Sequence, residues 1–319
     1  MARPHIEIIL PVYNEVNNIQ PLLTALDRVV SSLRDRSRIT YLFVNDGSDD
    51  GSRQLLHRIF KDREDVRVVD LVHNFGHSAA LACGIDHFSG DAALVMDADL
   101  QDSPAVLIEM FQAWEKGAKT IVARRKGRSE RFRIFFRLFY FVLHKLSPTL
   151  PPIDFGTHCL LDRTVVERMR QLKERTRYFP GLVSYSSSKI YAVSADRSKR
   201  LHGQSRVGMF GLLQLAITAF VGFSNTPVRL VSLLGILCSA AALTGGSGII
   251  LIKLLTTRAI PGWASMMTAM FFGSGIQLLC LGIIGEYVAR IHEEVKNRPL
   301  YLTDRIQDKA VSKSSKKVA

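Results

Sequence analysis

Ala92-Ala93-Leu94-Val95-Met96-Asp97-Ala98-Asp99-Leu100-Gln101-Asp102 joins five apolar residues directly to two carboxylates one residue apart. A short apolar run bounded by polar residues suits a strand buried on both faces. Four more runs share this character: Ile6 to Val12, Thr40 to Asn45, Val66 to Leu71 and Thr120 to Ala123. Between them apolar residues recur at helical spacing, as in Leu22, Leu23, Leu26, Val29, Val30 and Leu33. The alternation predicts an α/β fold, a doubly wound and mostly parallel sheet of Rossmann-like type. Such sheets hold their ligands beyond the carboxyl ends of the strands.

Polar clusters fall at those ends. Pro11-Val12-Tyr13-Asn14-Glu15 follows the first run, and Asn45-Asp46-Gly47-Ser48-Asp49-Asp50-Gly51-Ser52 follows the second. His73-Asn74-Phe75-Gly76-His77 follows the third. A DGS cluster alone reads equally well as a turn with a helix N-cap. Four clusters on one edge of one sheet point to a binding site. At Asp97 and Asp99 the repulsion between neighbouring carboxylates calls for a cation. With Gln101 as a neutral third ligand, these hard oxygens suit Mg²⁺ or Mn²⁺, completed by a substrate diphosphate. The competing reading is a solvated turn in which Asp102 caps a helix starting at Ser103-Pro104.

The chain has 319 residues, and its 42 Lys+Arg against 29 Asp+Glu leave a net charge of +13, which calls for an anionic partner. Cys83, Cys159, Cys238 and Cys280 are scattered without metal-ligand spacing, which excludes a zinc finger or disulfide scaffold. No Walker A, GxGxxG or HExxH pattern occurs, so P-loop, dinucleotide and zinc-protease chemistry lose their supports.

Leu230 to Ile252 and Gly262 to Gly285 are uncharged runs of 23 and 24 residues, each long enough as a helix to cross a bilayer. The short turn from Lys253 to Pro261 makes them a hairpin with both chain ends on one side. Arg229, Arg290, Lys296 and Arg298 at the flanks place that side in the cytoplasm. No N-terminal signal is expected, because Ile6 to Val12 is short and interrupted by Glu7. The expected organisation is a cytosolic α/β domain over 1–205, an interfacial linker helix over 206–228, two spans within 229–288, and a basic cytosolic tail over 289–319. This makes a multi-pass protein of the cytoplasmic membrane. Arg124 to Arg137 carries seven basic residues against the single Glu130, and FRIFFRLFYFVLHKL from Phe132 reads as an amphipathic interfacial helix. A lipid surface is then a simpler anion than nucleic acid.

The ordered set ILPVYNE, VNDGSDDGS, HNFGHSAALACGID and VMDADLQDSP, followed by two C-terminal spans, resembles the polyprenyl-phosphate glycosyltransferases. These inverting GT-A-type enzymes include bactoprenol-phosphate glycosyltransferases and dolichol-phosphate mannose synthase. The resemblance covers nearly the whole chain, including GEYVARI from Gly285 and NRPLY from Asn297. It implies that Pro11, Tyr13, Glu15, Asn74, Asp97 and Ala98 line the nucleotide-sugar pocket, and that Asp46 accepts a hydrogen bond from the base. It implies that Asp97, Asp99 and Gln101 hold the metal ion, with Asp99 and Asp154 counted as catalytic. Arg200-Leu201-His202-Gly203-Gln204-Ser205-Arg206 looks like the family's basic loop: Arg206 is expected on the donor diphosphate, and Arg200, Ser205 and Arg124 near the acceptor phosphate. Relatives often read Asp-x-Gly-x-Phe-Arg-Leu where this chain has Thr157-His158-Cys159-Leu160. Cys159 cannot supply that arginine's charge, so Arg163 or a neighbouring basic residue compensates, or donor choice differs.

The implied reaction moves a sugar from a nucleoside diphosphate, UDP in preference to GDP, to polyprenyl phosphate with inversion at the anomeric carbon. The acceptor's second pKa near ~6 leaves its oxygen largely ionised at neutral pH, so Asp154 reads as a positioner rather than an essential base. A homo-oligomer, and a downstream flippase or second glycosyltransferase, are further candidate partners. Two alternatives stay open: a polysaccharide synthase, although its QxxRW motif is missing, and a non-catalytic membrane scaffold or sugar-nucleotide sensor.

Overall fold

The computed structural model describes residues 3–101, 103–125, 155–174, 178–195 and 262–309, with isolated helical positions between 231 and 255. The chain divides into two compact units: Met1–Leu213 with Arg298–Ala319, and Gln214–Asn297.

The first unit is an eight-stranded sheet. Its strands are β1 (His5–Val12), β2 (Arg38–Asn45), β3 (Val66–Leu71), β4 (Ala92–Val95), β5 (Thr120–Arg125), β6 (Phe155–Asp162), β7 (Tyr191–Ala195) and β8 (Thr303–Gln307). In space they run β7-β5-β6-β4-β1-β2-β3-β8. β1 pairs in parallel with β2 and β4, and β2 with β3, as the alternating sequence predicts. Two strands depart from that pattern: β6 lies antiparallel between β4 and β5, and β8 lies antiparallel on the outer side of β3.

The central strands are apolar because both of their faces are covered. On one face Ile6, Ile8, Leu10, Tyr41 and Phe43 pack with Leu22, Leu26 and Val30 of α1 (Val16–Ser31), Leu56 of α2 (Ser52–Asp62) and Phe111 of α4 (Val106–Glu115). On the other, Ile9, Leu42, Val44, Val95 and Cys159 pack with Leu81 of α3 (His77–His87), Val165 of α5 (Arg163–Gln171) and Leu182 of α6 (Phe179–Ser186). Gly84 lets α3 lie flat on the sheet, since a Cβ there would stand 2.3 Å from Ile9 Cγ2.

β8 lies within the stretch that the sequence reading assigned to a basic tail. Thr303, Arg305, Ile306 and Gln307 pair with Leu71, Asp70, Val69 and Val68. Side chains reinforce the edge: Arg67 Nε meets Asp308 at 2.8 Å, Arg53 pairs with Asp304, and the Tyr301 hydroxyl donates to Asp86 at 2.8 Å. The last part of that tail, Ser312 to Ala319, lies outside the described residues.

In the second unit α7 (Trp263–Val295) runs for 33 residues, ten beyond the expected end of the second span at Gly285. A helix of that length is ~50 Å long, more than a bilayer's ~30 Å hydrocarbon. Phe272–Val295 is long and apolar enough to cross a membrane. Most of the first expected span, Leu230 to Ile252, and the expected interfacial helices lie outside the described residues.

Candidate active site

β1 to β4 are parallel neighbours, so the segments after Val12, Asn45, Leu71 and Val95 share one rim, where the four polar clusters were expected.

Most of the side chains after β2 bond to the segment that starts α1. Ser48 Oγ accepts from the N–H of Asn14, Ser52 Oγ from that of Glu15, and Asp50 Oδ2 from that of Val16, each at 3.0 Å. Asn14 and Asp49 exchange two more bonds of 2.7 and 3.0 Å. These side chains serve the start of α1, whose first N–H groups have no partner within the helix. They leave Asn14 at φ 55°, in the left-handed region that asparagine tolerates. Burial works against the charge of Asp50, yet bonds from Ser52 and Val16 hold its carboxyl below the usual range.

Asp46 is 2% exposed and does a different job. Its two oxygens accept from the N–H groups of Phe75 (2.7 Å) and Gly76 (2.9 Å), which fixes the turn into α3. Burial pushes its pKa up, and the two N–H groups only partly offset this. Gly47, at φ 65°, brings the loops into backbone contact; a Cβ there would sit 2.4 Å from the carbonyl carbon of His73. His73 and Phe75 stack at 3.9 Å, and Asn74 is exposed beside them. Behind these loops Asn45 donates to buried Asp70 at 2.8 Å, and His57 Nε2 lies 2.6 Å from the other Asp70 oxygen.

The acidic strand end is built differently. Asp97 is half-buried, and its Oδ1 accepts from the Thr157 hydroxyl of β6 at 3.0 Å and lies 3.4 Å from His77 Nε2 of α3. Asp99 is 7% exposed, and its Oδ1 accepts the Gln101 N–H at 3.1 Å across a turn in which Leu100 has φ 57°. Gln101 therefore supports Asp99 through its main chain. The described residues bring no three His, Cys, Asp or Glu together as a complete metal cage. Two carboxylates at an open strand end nevertheless match Mg²⁺ or Mn²⁺, which take one or two protein carboxylates and fill the remaining positions with phosphate and water.

Other expected residues sort as follows. Pro11 is buried in β1, while Tyr13 and Glu15 are half-buried at the rim. Glu15 is held by Asn18, whose Nδ2 donates to Oε2 at 2.5 Å. Ala98 is 3% exposed and packs with the core. Arg124 is exposed near the end of β5, on the same rim, opposite Phe155. Asp154, Arg200, Ser205 and Arg206 lie outside the described residues.

The departure at Thr157-His158-Cys159 has a structural reading. Cys159 is fully buried opposite Val95 and Val122, and burial pushes its thiol far up, so the position carries no phosphate grip in this chain. Arg163 does not compensate. Because β6 runs antiparallel, Arg163 lies at the far end of the sheet, donating to the carbonyls of Gly90 (2.7 Å) and Ser89 (3.0 Å). Thr157 stands in the stretch that the sequence marks only for its missing arginine; its contact with Asp97 comes from β6 lying beside β4.

A two-faced α/β sheet with paired carboxylates at the end of one central strand is the architecture of a GT-A-type glycosyltransferase. Residues 7–170 match the family described as Glycosyl transferase family 2, and the chain belongs to that family. It is 37% identical over 303 residues to an uncharacterized glycosyltransferase, YkcC, of Bacillus subtilis, covering 93% of each chain. It is 30% identical over 305 residues to a prophage bactoprenol glucosyl transferase homolog of Escherichia coli, covering 95% of this chain and 99% of that one. Among solved structures, glucosyl-3-phosphoglycerate synthase from Mycobacterium tuberculosis aligns with a TM-score of 0.47 and 18% identity over 68% of this chain and 76% of that one.

Proposed function

We propose that this glycosyltransferase moves a sugar from a nucleoside diphosphate sugar, with UDP preferred, to polyprenyl phosphate, inverting the anomeric centre. The observation that carries the reading is the strand end Asp97-Ala98-Asp99, with one carboxylate anchored from the side by Thr157 and both on the rim shared with Tyr13, Glu15, Asp46 and Asn74. The acceptor class is supported by near full-length similarity to bactoprenol glucosyl transferases, at 30–31% identity.

In the proposed reaction an ionised phosphate oxygen of the acceptor attacks the anomeric carbon. The bond from that carbon to the diphosphate oxygen breaks, and its electron pair leaves with the nucleoside diphosphate. A divalent ion held by Asp97 and Asp99 would supply positive charge to the diphosphate. Asp46 and Gly47 hold the 73–77 loop in place for the nucleotide, and the second lone pairs of the Asp46 oxygens remain for the base. Arg124 suits the acceptor phosphate, because a guanidinium fork matches phosphate oxygens. Arg206 suits the donor diphosphate, Arg200 and Ser205 the acceptor, and Asp154 the positioning of that acceptor.

The return of the chain into the sheet supports a membrane hairpin. β7 ends before Gln214 and β8 begins after Asn297, yet both belong to one sheet. Any crossing of a membrane within the intervening stretch must therefore be matched by a return crossing. If α7 is one span, Leu230 to Ile252 is the natural second, with both flanks in the cytosol. The enzyme is then a multi-pass protein of the cytoplasmic membrane.

The test is a panel of radiolabelled nucleotide sugars offered to the purified full-length protein with polyprenyl phosphate in detergent. Labelled lipid from one donor is the expected result; donor hydrolysis without lipid product, or no turnover, ends the acceptor assignment. The orientation is checked by Thr257→Cys in a background lacking the native cysteines. An impermeant thiol reagent should label it from outside, and labelling only from the cytosol overturns the topology.

A further inference from the structure

Asp97 lies two residues beyond the end of β4, just before the turn over 98–99. A carboxylate in that position rotates freely about its last bond unless something holds one oxygen. Two groups stand against Oδ1: the Thr157 hydroxyl, which donates at 3.0 Å, and His77 Nε2, at 3.4 Å. Among the described residues Oδ2 has no partner. Thr157 reaches this place only because β6 lies antiparallel beside β4, with Cys159 opposite Val95 two residues earlier.

We infer that Thr157 is a positioning residue: its hydroxyl holds Oδ1 and presents Oδ2 of Asp97 to the divalent ion. This rests on the metal reading of Asp97 and Asp99. Thr157 touches neither the ion nor the sugar. It removes the rotational freedom that ion binding would otherwise have to freeze, so its loss weakens the ion before it alters the chemical step.

The test compares four proteins, the parent, Thr157→Val, Thr157→Ser and Asp97→Asn, by titrating Mn²⁺ in the presence of UDP and reading free Mn²⁺ by electron paramagnetic resonance. Valine keeps the branched shape that a strand favours and removes only the donor. Thr157→Val should weaken Mn²⁺ about tenfold, the low end of the range for residues that orient metal ligands. Thr157→Ser, which keeps the hydroxyl, should stay within about twofold of the parent, and Asp97→Asn should bind weakest. In turnover assays Thr157→Val should raise the Mn²⁺ concentration for half-maximal rate, with kcat at saturating ion nearly unchanged; a merely structural residue would not produce that split. If Thr157→Val fails to fold, Thr157→Ala is measured in its place. Mn²⁺ binding by Thr157→Val equal to the parent, beside a weakened Asp97→Asn, overturns the role of Thr157. So does Thr157→Ser falling as far as Thr157→Val. Unchanged binding in Asp97→Asn overturns instead the metal reading on which the role rests.

Discussion

The loop after β2 and the loop after β4 look alike in sequence, both dense in Asp and small residues after an apolar strand, yet the fold uses them in opposite ways. In the first, Ser48, Asp49, Asp50 and Ser52 all bond to the segment that starts α1, and Asp46 bonds to the turn that starts α3. In the second, Asp97 is supported from outside by Thr157 and keeps one oxygen free of described partners, while Asp99 accepts the Gln101 N–H of its own loop. Asp46 and Asp50 are held by protein N–H and O–H groups, whereas Asp97 presents an oxygen with no partner among the described residues. The cluster that reads as most elaborate in sequence is therefore largely a frame, and the shorter one carries the carboxylates on which the proposed metal site rests.

The sharpest way to break this contrast is Asp99→Ala. Turnover should fall by more than the ~100-fold typical of residues that merely orient metal ligands, with circular dichroism unchanged. Near-normal turnover in that variant with chelator present would remove the centre from the strand end. Gly47→Ala comes next and acts on the frame. It combines an unfavourable left-handed residue with a Cβ pressed against the His73 backbone, and should cost about 2–4 kcal/mol, read as a lower Tm. Asp50→Ala removes the acceptor for Val16 N–H and should cost about 1–2 kcal/mol, with the nucleotide-sugar KM rising more than kcat falls.

Acid sharpens the same comparison. Asp50 has its pKa lowered in the folded protein, so its bonds stabilise the fold above the ordinary carboxylate value of 3.8. That stabilisation is lost as pH falls below this value toward the lowered one. Asp50→Asn should flatten the acid limb of a Tm-against-pH curve below about pH 4. Asp46 has the opposite sign: with its pKa raised, its ionisation erodes stability as pH climbs from 3.8 through the raised value. An acid limb identical in Asp50→Asn and the parent would deny Asp50 its scaffold role. Asp49→Ala should have the smallest effect, under about 0.5 kcal/mol, because its bonds to Asn14 are exposed to water.

What the residues determined by themselves was the periodic part of the molecule. Apolar runs flanked by helical repeats mark β1 to β5 to within about two residues, because burial on both faces leaves a local signature in each strand. The rim follows from parallel pairing, and with it the placement of Tyr13, Asp46, Asn74, Asp97 and Asp99. The tertiary structure alone decided which polar residues are framework and which are open. That depends on partners more than 30 residues away, such as Ser48 for Asn14 or Thr157 for Asp97. It also decided the two antiparallel strands. β6 and β8 carry no pattern that names their neighbours, and register across long loops is a property of the assembled sheet. The insertion of β6 turned Cys159 into a core residue, sent Arg163 to the far end of the sheet, and set Thr157 against Asp97. The pairing of β8 with β3 turned an expected tail into the eighth strand, because a free sheet edge accepts any segment that can reach it with matching backbone groups.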